Sequence, residues 1–505
     1  MAALFAQAFA NLFTVTNVIL MIVGVVVGII FGCVPGLSAA MAIALFLPVT
    51  FGLPQYSAFA LLMALYIGGV SGSLISAILI NVPGSSQSIA TCYDGHPMAV
   101  KGEAHRALGT GMLFSFLGTM FSLVILIFAA PTIASVAVKL QPFEFFSLVF
   151  FALLLIICIS GANLFKSLLA GLLGMAVSFV GNAPVDSIPR FTFHTNALVD
   201  GFALLPMVIG LFAVTTIMGN AARPMGTGTA DRLPYKRGKG FGFTFKEFLG
   251  QTKNWIMSAI IGTFIGFLPG MGGSLANQLA YAAVQKTSKH PEKFGTGIMD
   301  GVVASETSNN ASIGGAMIPL LALGIPGDGP TAMLLGAFMI QGLNAGPLLF
   351  TSNPDLCYVI FAAMAICTAL MLVVEYFGIP LFLQTLKVPK GILLPVIVML
   401  CCVGAYASGS KMFNVWTVLI FGFVGFLFSK AKIPGPPFIL GAVLGPMIES
   451  KLRMGLQMSR GSFLPFITRP VSAVFLAITL IIVVSTLVSQ AKKRRAGKPV
   501  EAEED

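Results

Sequence analysis

Charged residues are scarce in this chain. Asp, Glu, Lys and Arg make up only 9% of its 505 residues, against roughly 25% in a soluble domain. Residues 1–100 contain neither Lys nor Arg, and the same is true of residues 294–386. Because 57% of the chain is hydrophobic, no soluble core could bury it. The shortage of charge excludes a soluble globular protein and predicts a multi-pass membrane protein.

The motifs of common enzyme and metal sites are missing as well. The sequence has no GxSxG, HExxH or Walker A pattern, and its four histidines are scattered. Its seven cysteines show no CxxC spacing, so we interpret them as small buried side chains. We therefore predict that the protein is not an enzyme, and that it uses no cofactor or metal other than a coupling ion.

The basic residues that are present concentrate in joints between apolar runs. The net charge of +11 therefore does not indicate nucleic-acid binding, and no nucleic acid is expected as a partner. The largest joint is basic and, by the positive-inside rule, cytoplasmic; its cations are Arg223, Arg232, Lys236, Arg237, Lys239, Lys246 and Lys253. We predict four regions in the chain, namely a first transmembrane repeat (1–219), a basic cytoplasmic linker (220–253), a second transmembrane repeat (254–490) and a cytoplasmic tail (491–505).

Two Pro-Gly steps occur in each half of the chain at matching places. They are Pro35-Gly36 and Pro83-Gly84 in the first half, and Pro269-Gly270 and Pro326-Gly327 in the second. Pro removes a backbone donor and Gly tolerates turn angles, so each step is expected to break a helix. Broken apolar segments at corresponding places in two halves are typical of a transporter's binding site.

The second half also predicts a re-entrant hairpin. Basic residues flank the arms 254–268 and 271–285, and each arm has 15 residues. At 1.5 Å per residue an arm spans about 22 Å, which is less than the ~30 Å hydrocarbon core. The tip around Pro269-Gly270 is therefore expected to lie inside the membrane.

The charge pattern indicates that the two halves face opposite sides. The loop after Pro83-Gly84 carries Lys101 and Arg106, whereas the loop after Pro326-Gly327 carries no cation. Opposite sidedness of matching loops is the signature of an inverted repeat. The predicted fold is an all-α polytopic membrane protein with about 10–12 transmembrane helices, arranged as two inverted repeats with re-entrant hairpins or broken helices.

The broken segments are candidates for binding an anion. Half-helix N-termini carry free N–H donors and partial positive charge, and no Lys or Arg occurs in 31–91, 254–285 or 297–341. Backbone N–H groups, hydroxyls and amides would then hold the substrate; alternatively, the serines only cap their own helices. The candidate substrate-binding residues are Pro35, Gly36, Ser38, Asn81, Pro83, Gly84, Ser85, Ser86, Gln87, Ser88, Pro326, Gly327, Asp328 and Thr331.

The stretch 305–312 is the most polar sequence between apolar runs and suggests an ion site. Sodium prefers oxygen ligands, which unwound carbonyls and Asn, Ser and Thr side chains supply. Two alternatives stay open, a wetted interfacial loop with a solvated Glu306 and a proton relay through Glu306 or Asp328. The candidate ion-binding residues are Gly270, Gly272, Gly273, Ser274, Asn277, Glu306, Ser308, Asn309, Asn310 and Ser312.

Five segments in both halves carry a resemblance to a known family. They are FGCVPGLSAAMAIALFLP, YIGGVSGSLISAILINVPGSSQSIATCYDGHPMA, DGFALLPMVIGLFA, IGFLPGMGGSLANQLAY and SETSNNASIGGAMIPLLALGIPGDGPTAMLLGAF. The chain resembles the large membrane subunit of the tripartite tricarboxylate transporter family. The resemblance implies a multi-pass protein of the bacterial inner membrane. It also implies two partners, a small membrane subunit of about four helices and a periplasmic binding protein that delivers the substrate.

The predicted function is secondary active uptake of a carboxylate, either a di- or tricarboxylate or a related organic acid. The resemblance implies coupling to a cation gradient, by symport with sodium as the favoured ion and the proton as the alternative. Paired broken elements suggest elevator-type alternating access. A channel or a non-transporting membrane scaffold is the alternative function.

Overall fold

The computed structural model describes residues 2–159, 163–221, 235, 237–385, 390–407 and 410–495. Part of the predicted linker, including Arg223, Arg232 and Lys236, lies outside the described residues. The same is true of tail residues 496–505.

Helices account for most of the described chain. In the first half they are α1 (Ala2–Leu12), α2 (Val15–Cys33), α3 (Ala39–Phe46), α4 (Gln55–Ser71), α5 (Ser73–Ile80), α6 (Ile89–Met98), α7 (Ala104–Ala137), α8 (Pro142–Ile159), α9 (Leu164–Ser178), α10 (Leu204–Ile209) and α11 (Thr215–Ala221). In the second half they are α12 (Phe245–Gly250), α13 (Thr252–Phe267), α14 (Gly272–Thr287), α15 (Met299–Leu323), α16 (Gly329–Ile340), α17 (Leu349–Ser352), α18 (Pro354–Thr385), α19 (Lys390–Ala407), α20 (Met412–Lys430), α21 (Gly435–Met458), α22 (Leu464–Thr468) and α23 (Pro470–Arg495).

The predicted all-α membrane fold is confirmed. Two-residue strands, β1 (Gly181–Asn182) and β2 (Pro189–Arg190), pair in antiparallel fashion, and the rest of the described regular structure is helical. Six helical segments of the described chain are long and apolar enough to cross a membrane. The predicted total of ten to twelve crossings also includes shorter and broken helices, and it stays a prediction.

The chain forms two compact units, and each takes one segment from either half of the sequence. Unit 1 contains residues 1–134 and 216–404, and unit 2 contains residues 135–215 and 405–505. The proposed boundaries of the two repeats are not tested by this division and stay a prediction.

The helices of unit 1 break at all four Pro-Gly steps. The steps separate α2 from α3, α5 from α6, α13 from α14, and α15 from α16. Asn81 and Gly324, each two residues before a proline, end α5 and α15 in the left-handed conformation. The breaks therefore have the same local form in both sequence halves. We call α2–α6 the first copy and α13–α16 the second copy.

Close backbone approaches repeat between the copies. A Cβ added at Gly84 would overlap the carbonyl oxygen of Gly32, and one added at Gly327 would lie 2.8 Å from that of Gly266. Gly32 and Gly266 each lie three residues before the first proline of their copy. A glycine is needed here because any side chain would collide with neighbouring backbone. The hairpin α2–α3 therefore meets its half-helix in the same way as the hairpin α13–α14.

The two copies are interleaved rather than side by side. Helix α3 of the first copy packs against α16 of the second. Helix α14 of the second copy packs against α6 and the 3-10 turn Ser86–Ser88 of the first. Helices α4 and α15 lie at the centre, and every residue of α15 except the half-buried Asp300 is buried. Each hairpin therefore contacts the half-helix of the opposite copy.

Asp94 on α6 fastens the first copy to the loop after α14. Its Oδ1 accepts hydrogen bonds from the backbone N–H groups of Gly295 (3.0 Å), Gly297 (2.8 Å) and Ile298 (3.0 Å). Its Oδ2 accepts one from the Tyr281 hydroxyl at 2.8 Å. The fully buried carboxylate thus has four donors, which offset the cost of burying a charge.

Gln341, just after α16, makes the reciprocal connection. Its side-chain amide donates to the carbonyl oxygen of Thr50 at 2.8 Å, in the turn that follows α3. Its own carbonyl oxygen accepts from the Gln55 amide at 3.3 Å. We call Asp94 and Gln341 the base anchors. Each anchor ties the far end of a half-helix to the base of the opposite copy's hairpin.

Unit 2 is built around α8, α9 and α21. Helix α21 packs against both others, and Gly174 and Gly441 bring α9 and α21 into backbone contact. Arg190 forms two hydrogen bonds with the Glu449 carboxylate, at 2.7 and 3.0 Å. Arg469 bonds Glu144 at 2.7 Å.

Candidate functional site

The polar stretch 305–312 lies within the continuous helix α15 and is not unwound. Its serine hydroxyls bond to carbonyls of their own helix, as in Ser308 to Ala304 (2.8 Å) and Ser312 to Asn309 (2.6 Å). Such back-bonding lets a helix bury serines without breaking. The sequence-based expectation of unwound carbonyls therefore does not hold for this segment.

Four residues converge at the tip of the second hairpin, and we call them the tip cluster (Gln87, Gly273, Asn309 and Ser312). A Cβ placed on Gly273 would lie 2.5 Å from Asn309 Oδ1, 3.0 Å from Ser312 Oγ and 3.3 Å from Gln87 Cδ. Asn309 is fully buried, yet neither Oδ1 nor Nδ2 has a hydrogen-bond partner among the described residues. A buried amide without partners is costly, so this position is suited to a ligand.

Both carboxylate oxygens of Asp328, at the start of α16, already accept hydrogen bonds from other side chains or backbone. Its Oδ1 accepts from the backbone N–H (2.9 Å) and hydroxyl (2.6 Å) of Thr331, in a capping box. Its Oδ2 accepts from the Tyr66 hydroxyl at 2.7 Å. The nearby Gly270 N–H donates to the Gly327 carbonyl at 2.7 Å, which fixes the hairpin tip against this turn.

The first half-helix begins in a more open setting. Ser85 Oγ accepts from the Gln87 N–H at 3.4 Å, and Ser88 Oγ donates to the Ser85 carbonyl at 3.1 Å. Asn81 and Ser86 are exposed, whereas residues 324–327 of the second copy are buried. The structure therefore exposes the predicted residues Asn81 and Ser86, leaves Pro83, Ser85 and Gln87 half-buried, and buries Gly84 and Ser88.

Glu306 and Asn310 form a separate cluster on another face of α15. Thr91 on α6 donates to Glu306 Oε1 at 2.5 Å, and Ser115 on α7 donates to Oε2 at 3.1 Å. Asn310 Nδ2 donates to Ser115 Oγ at 2.7 Å. Thr91 and Ser115 were not among the sequence-based candidates, because nothing in the local pattern indicates that they meet Glu306.

The remaining predicted residues support the backbone around the tips. Asn277 Oδ1 accepts from the Ala90 N–H at 2.9 Å, and its Nδ2 donates to the Ser305 carbonyl at 3.3 Å. Ser38 caps α3 through the Met41 N–H at 3.3 Å. The turns and first helical residues at the four breaks contain the other predicted residues, namely Pro35, Gly36, Pro83, Gly84, Pro326, Gly327, Gly272 and Ser274.

Glu375 on α18 is another buried carboxyl, and it was not a sequence-based candidate. It is fully buried, and neither oxygen forms a hydrogen bond of ordinary geometry with a described residue. Its polar neighbour is the Ser71 hydroxyl on α4, and it also interacts electrostatically with Glu306.

The site contains oxygen and amide groups but no cationic side chain. Among the described residues, no ion pair includes Glu306, Asp328 or Glu375. Nor does the described part of the chain contain a cluster of three His, Cys, Asp or Glu residues that could hold a metal. Amides and free N–H groups can hold a carboxylate, and side-chain and carbonyl oxygens can coordinate a monovalent cation.

The chain is similar to a known protein family and to two bacterial proteins. The sequence model described as "Tripartite tricarboxylate transporter TctA family" matches residues 18–440. The chain is 36% identical over 454 residues to the "Uncharacterized 52.8 kDa protein in TAR-I ttuC' 3'region" of Agrobacterium vitis, covering 90% of this chain and 89% of that relative. It is 35% identical over 234 residues to the "Uncharacterized protein in TAR-II ttuC' 3'region" of the same organism, covering 46% of this chain and 97% of that relative. No solved structure matches the chain.

Proposed function

Because this chain belongs to the tripartite tricarboxylate transporter TctA family, we propose that it takes up a di- or tricarboxylate, or a related organic acid, by sodium-coupled symport. The resemblance suggests that a periplasmic binding protein delivers the substrate and that a small four-helix subunit assembles with the chain. It also suggests the bacterial inner membrane as the location. The proton is the alternative coupling ion.

The single observation that carries this proposal is the tip cluster. Asn309 is fully buried without a hydrogen-bond partner among the described residues, and it faces the glycine tip of a hairpin together with Ser312 and Gln87. A sodium ion is suited to the Asn309 Oδ1 and Ser312 Oγ atoms. The substrate carboxylate is suited to the partly exposed start of the first half-helix, around Ser85 and Ser86, where N–H groups and hydroxyls replace cations.

We propose that unit 1 moves as one rigid body during alternating access. The base anchors tie each hairpin to the half-helix of the opposite copy, which favours joint movement over the opening of one hairpin. Such rigid-body movement corresponds to the elevator-type mechanism that the sequence suggests.

The test is uptake into proteoliposomes that contain the chain, the small subunit and the binding protein. Radiolabelled citrate is the first probe, with an inward sodium gradient compared against choline. We expect sodium-dependent uptake in the wild type and a loss of about tenfold or more in Asn309→Ala, since about 1.4 kcal/mol of ligand contact corresponds to a factor of ten.

Asn17→Ala is the matched control, because Asn17 is a buried amide of unit 1 bonded to Ser57 and Asn11. It should lower stability but leave the sodium dependence unchanged. If a proton gradient drove uptake equally well, the proton would be assigned as the coupling ion in place of sodium. Flux that ignores both gradients would favour a channel, and growth on carboxylates unaffected by Asn309→Ala would favour a scaffold.

A further inference from the structure

Positions in the two copies of unit 1 can be paired residue by residue. A Cβ on Gly28 would lie 2.7 Å from the Leu65 carbonyl oxygen, and a Cβ on Gly262 would meet the Ser308 carbonyl oxygen in the same way. Leu65 and Ser308 each lie 18 residues before the second proline of their copy. The next position in each copy is Tyr66 and Asn309 respectively, so these two residues are structural equivalents.

The equivalent residues differ in how they fill their surroundings. Tyr66 is fully buried, and its hydroxyl reaches across to Asp328, the N-cap of the opposite copy's half-helix. Asn309 is equally buried but shorter, and it has no hydrogen-bond partner among the described residues. The N-cap equivalent to Asp328 is Ser85 in the first copy, which also lies two residues after its proline. If the two copies were symmetric here, the Asn309 amide would form a hydrogen bond with Ser85, but it forms no such bond.

The hairpin tips differ in the same direction. In the first copy Ala39 packs its methyl group against Gly69, with a Cβ on Gly69 only 2.7 Å away. In the second copy the equivalent pair is Gly273 and Ser312, which lacks the methyl group and adds a hydroxyl. The first copy is therefore filled by apolar and aromatic atoms, whereas the second presents polar atoms beside a glycine.

We propose that Tyr66 is an internal plug, which occupies in the first copy the place that a ligand occupies beside Asn309 in the second. Unit 1 then has a single cation-binding site, at the tip cluster, instead of two symmetric sites. Asp328 is held by Tyr66 and Thr331, and the start of α16 is less accessible than that of the first half-helix, because Gly329 is half-buried where the equivalent Ser86 is exposed. The single-cation consequence rests on the proposed function; the closure by Tyr66 does not.

Thiol labelling tests the closure without any ligand. Ser86 and Gly329 are equivalent positions, each three residues after the second proline of its copy. We expect a membrane-impermeant thiol reagent, added to both sides of the full-length protein in nanodiscs, to label Ser86→Cys. Gly329→Cys should react about tenfold more slowly, because a thiol at this half-buried position beside Asp328 is reached fully only after local opening. Reactivity is measured against a parent whose native cysteines give the background.

Tyr66→Ala should then accelerate labelling of Gly329→Cys toward the rate of Ser86→Cys. Thr331→Cys, fully buried in the same turn, is a second reporter should Gly329→Cys fold poorly. Phe59→Ala is the matched control: Phe59 is a buried aromatic side chain on α4, seven residues before Tyr66, and it contacts Phe338 near the far end of α16. Equal labelling of Ser86→Cys and Gly329→Cys with Tyr66 intact, or no acceleration at either reporter in Tyr66→Ala, would overturn the plug.

Sodium binding tests the consequence separately. Thermal unfolding in sodium chloride against choline chloride should show stabilisation of the wild type and of Tyr66→Phe, since the ring still fills the place. Asn309→Ala should lose that stabilisation. A loss in Tyr66→Phe equal to that in Asn309→Ala would assign the ligand to the Asp328 end instead. No sodium response in the wild type would contradict the sodium coupling alone, while the labelling result still decides the plug.

Discussion

At the scale of single residues, Gly273 has the most consequential position in unit 1. Its missing side chain leaves the space into which Asn309 and Ser312 point, and any Cβ would lie 2.5 Å from the Asn309 oxygen. Ala39 is the equivalent residue of the first copy and already carries a methyl group. One methyl group thus separates the filled tip of the first copy from the tip at which we propose that a ligand binds.

Gly273→Ala is therefore expected to reduce sodium-dependent citrate uptake in proteoliposomes by about tenfold or more, a factor that corresponds to about 1.4 kcal/mol of lost binding. The protein should still fold, because the displaced atoms belong to a side chain. Ala39→Gly is the mirror-image control and should leave uptake close to wild type. Equal losses in both variants would show that the effect is on packing rather than on the site.

Glu375 allows a second prediction at this scale. Among the described residues Glu375 has no cationic partner. A buried carboxyl of this kind gains little from its charge, so Glu375→Gln is expected to leave unfolding free energy unchanged or raise it by up to about 2 kcal/mol. Glu449→Gln in unit 2 is the contrast, because it removes a partner of Arg190 and Arg453 and should cost about 2 kcal/mol. Thermal unfolding in nanodiscs measures both, and marked destabilisation by Glu375→Gln would reveal a partner for its charge.

At the scale of elements, the half-helices depend on anchors at their far ends. The Asp94 carboxylate satisfies three backbone N–H groups of the loop after α14. Asp94→Ala would leave these groups without their acceptor, so we expect a loss of about 3 kcal/mol in unfolding free energy. Asp94→Asn retains one acceptor oxygen and should lose less. Hydrogen exchange of residues 295–298 would locate the effect, and unchanged protection there in Asp94→Ala would contradict it.

The short helix α12 gives a prediction about pH. Hydrogen bonds from the Thr244 backbone N–H (2.7 Å) and hydroxyl (2.8 Å), together with the nearby Arg106, lower the pKa of the Glu247 carboxyl. Because the pKa in the folded state is below the unfolded value, the stabilisation is present above the unfolded pKa and is lost as pH falls through the folded one. Amide exchange in α12, corrected for intrinsic pH dependence, should speed up in acid. Glu247→Gln should remove that pH dependence.

The sequence predicted the breaks between helices because their cause is local. Pro and Gly act on their own backbone, so the four interruptions needed no knowledge of the tertiary fold. The state of residues 305–312 was not predictable in this way, since serine hydroxyls bond equally well to an ion or to their own helix. The Tyr66–Asp328 contact was hidden for another reason: it joins residues 262 positions apart, and no local pattern connects them.

At the scale of the whole molecule, the interleaving of the two copies determines what can move. Hairpins and half-helices of unit 1 are connected at their tips and at their bases. Movement of one hairpin alone would break the part-buried hydrogen bonds at its base, whereas movement of unit 1 as a body would leave them intact.

A crosslink within unit 1 tests that behaviour. Lys101 Nζ donates to the Thr296 carbonyl at 2.6 Å, so cysteines at 101 and 296 can be joined by a short bifunctional maleimide. We expect the crosslinked protein to keep at least about half of its citrate uptake, since a rigid-body motion leaves this pair in place. The same cysteines without crosslinker are the control. Uptake abolished only by the crosslink would require the hairpin base to open during transport.

The reciprocal base anchors also have a consequence for biosynthesis. The ribosome synthesises α6 some 200 residues before the loop 295–298, whose N–H groups bond to Asp94. The interval between Thr50 and its partner Gln341 is longer still, at 291 positions. Until then, the Asp94 carboxylate of an amino-terminal half lacks the four donors that it has in the complete fold. The half-helix α6 therefore gains its final hydrogen bonds only after the carboxy-terminal half has been made.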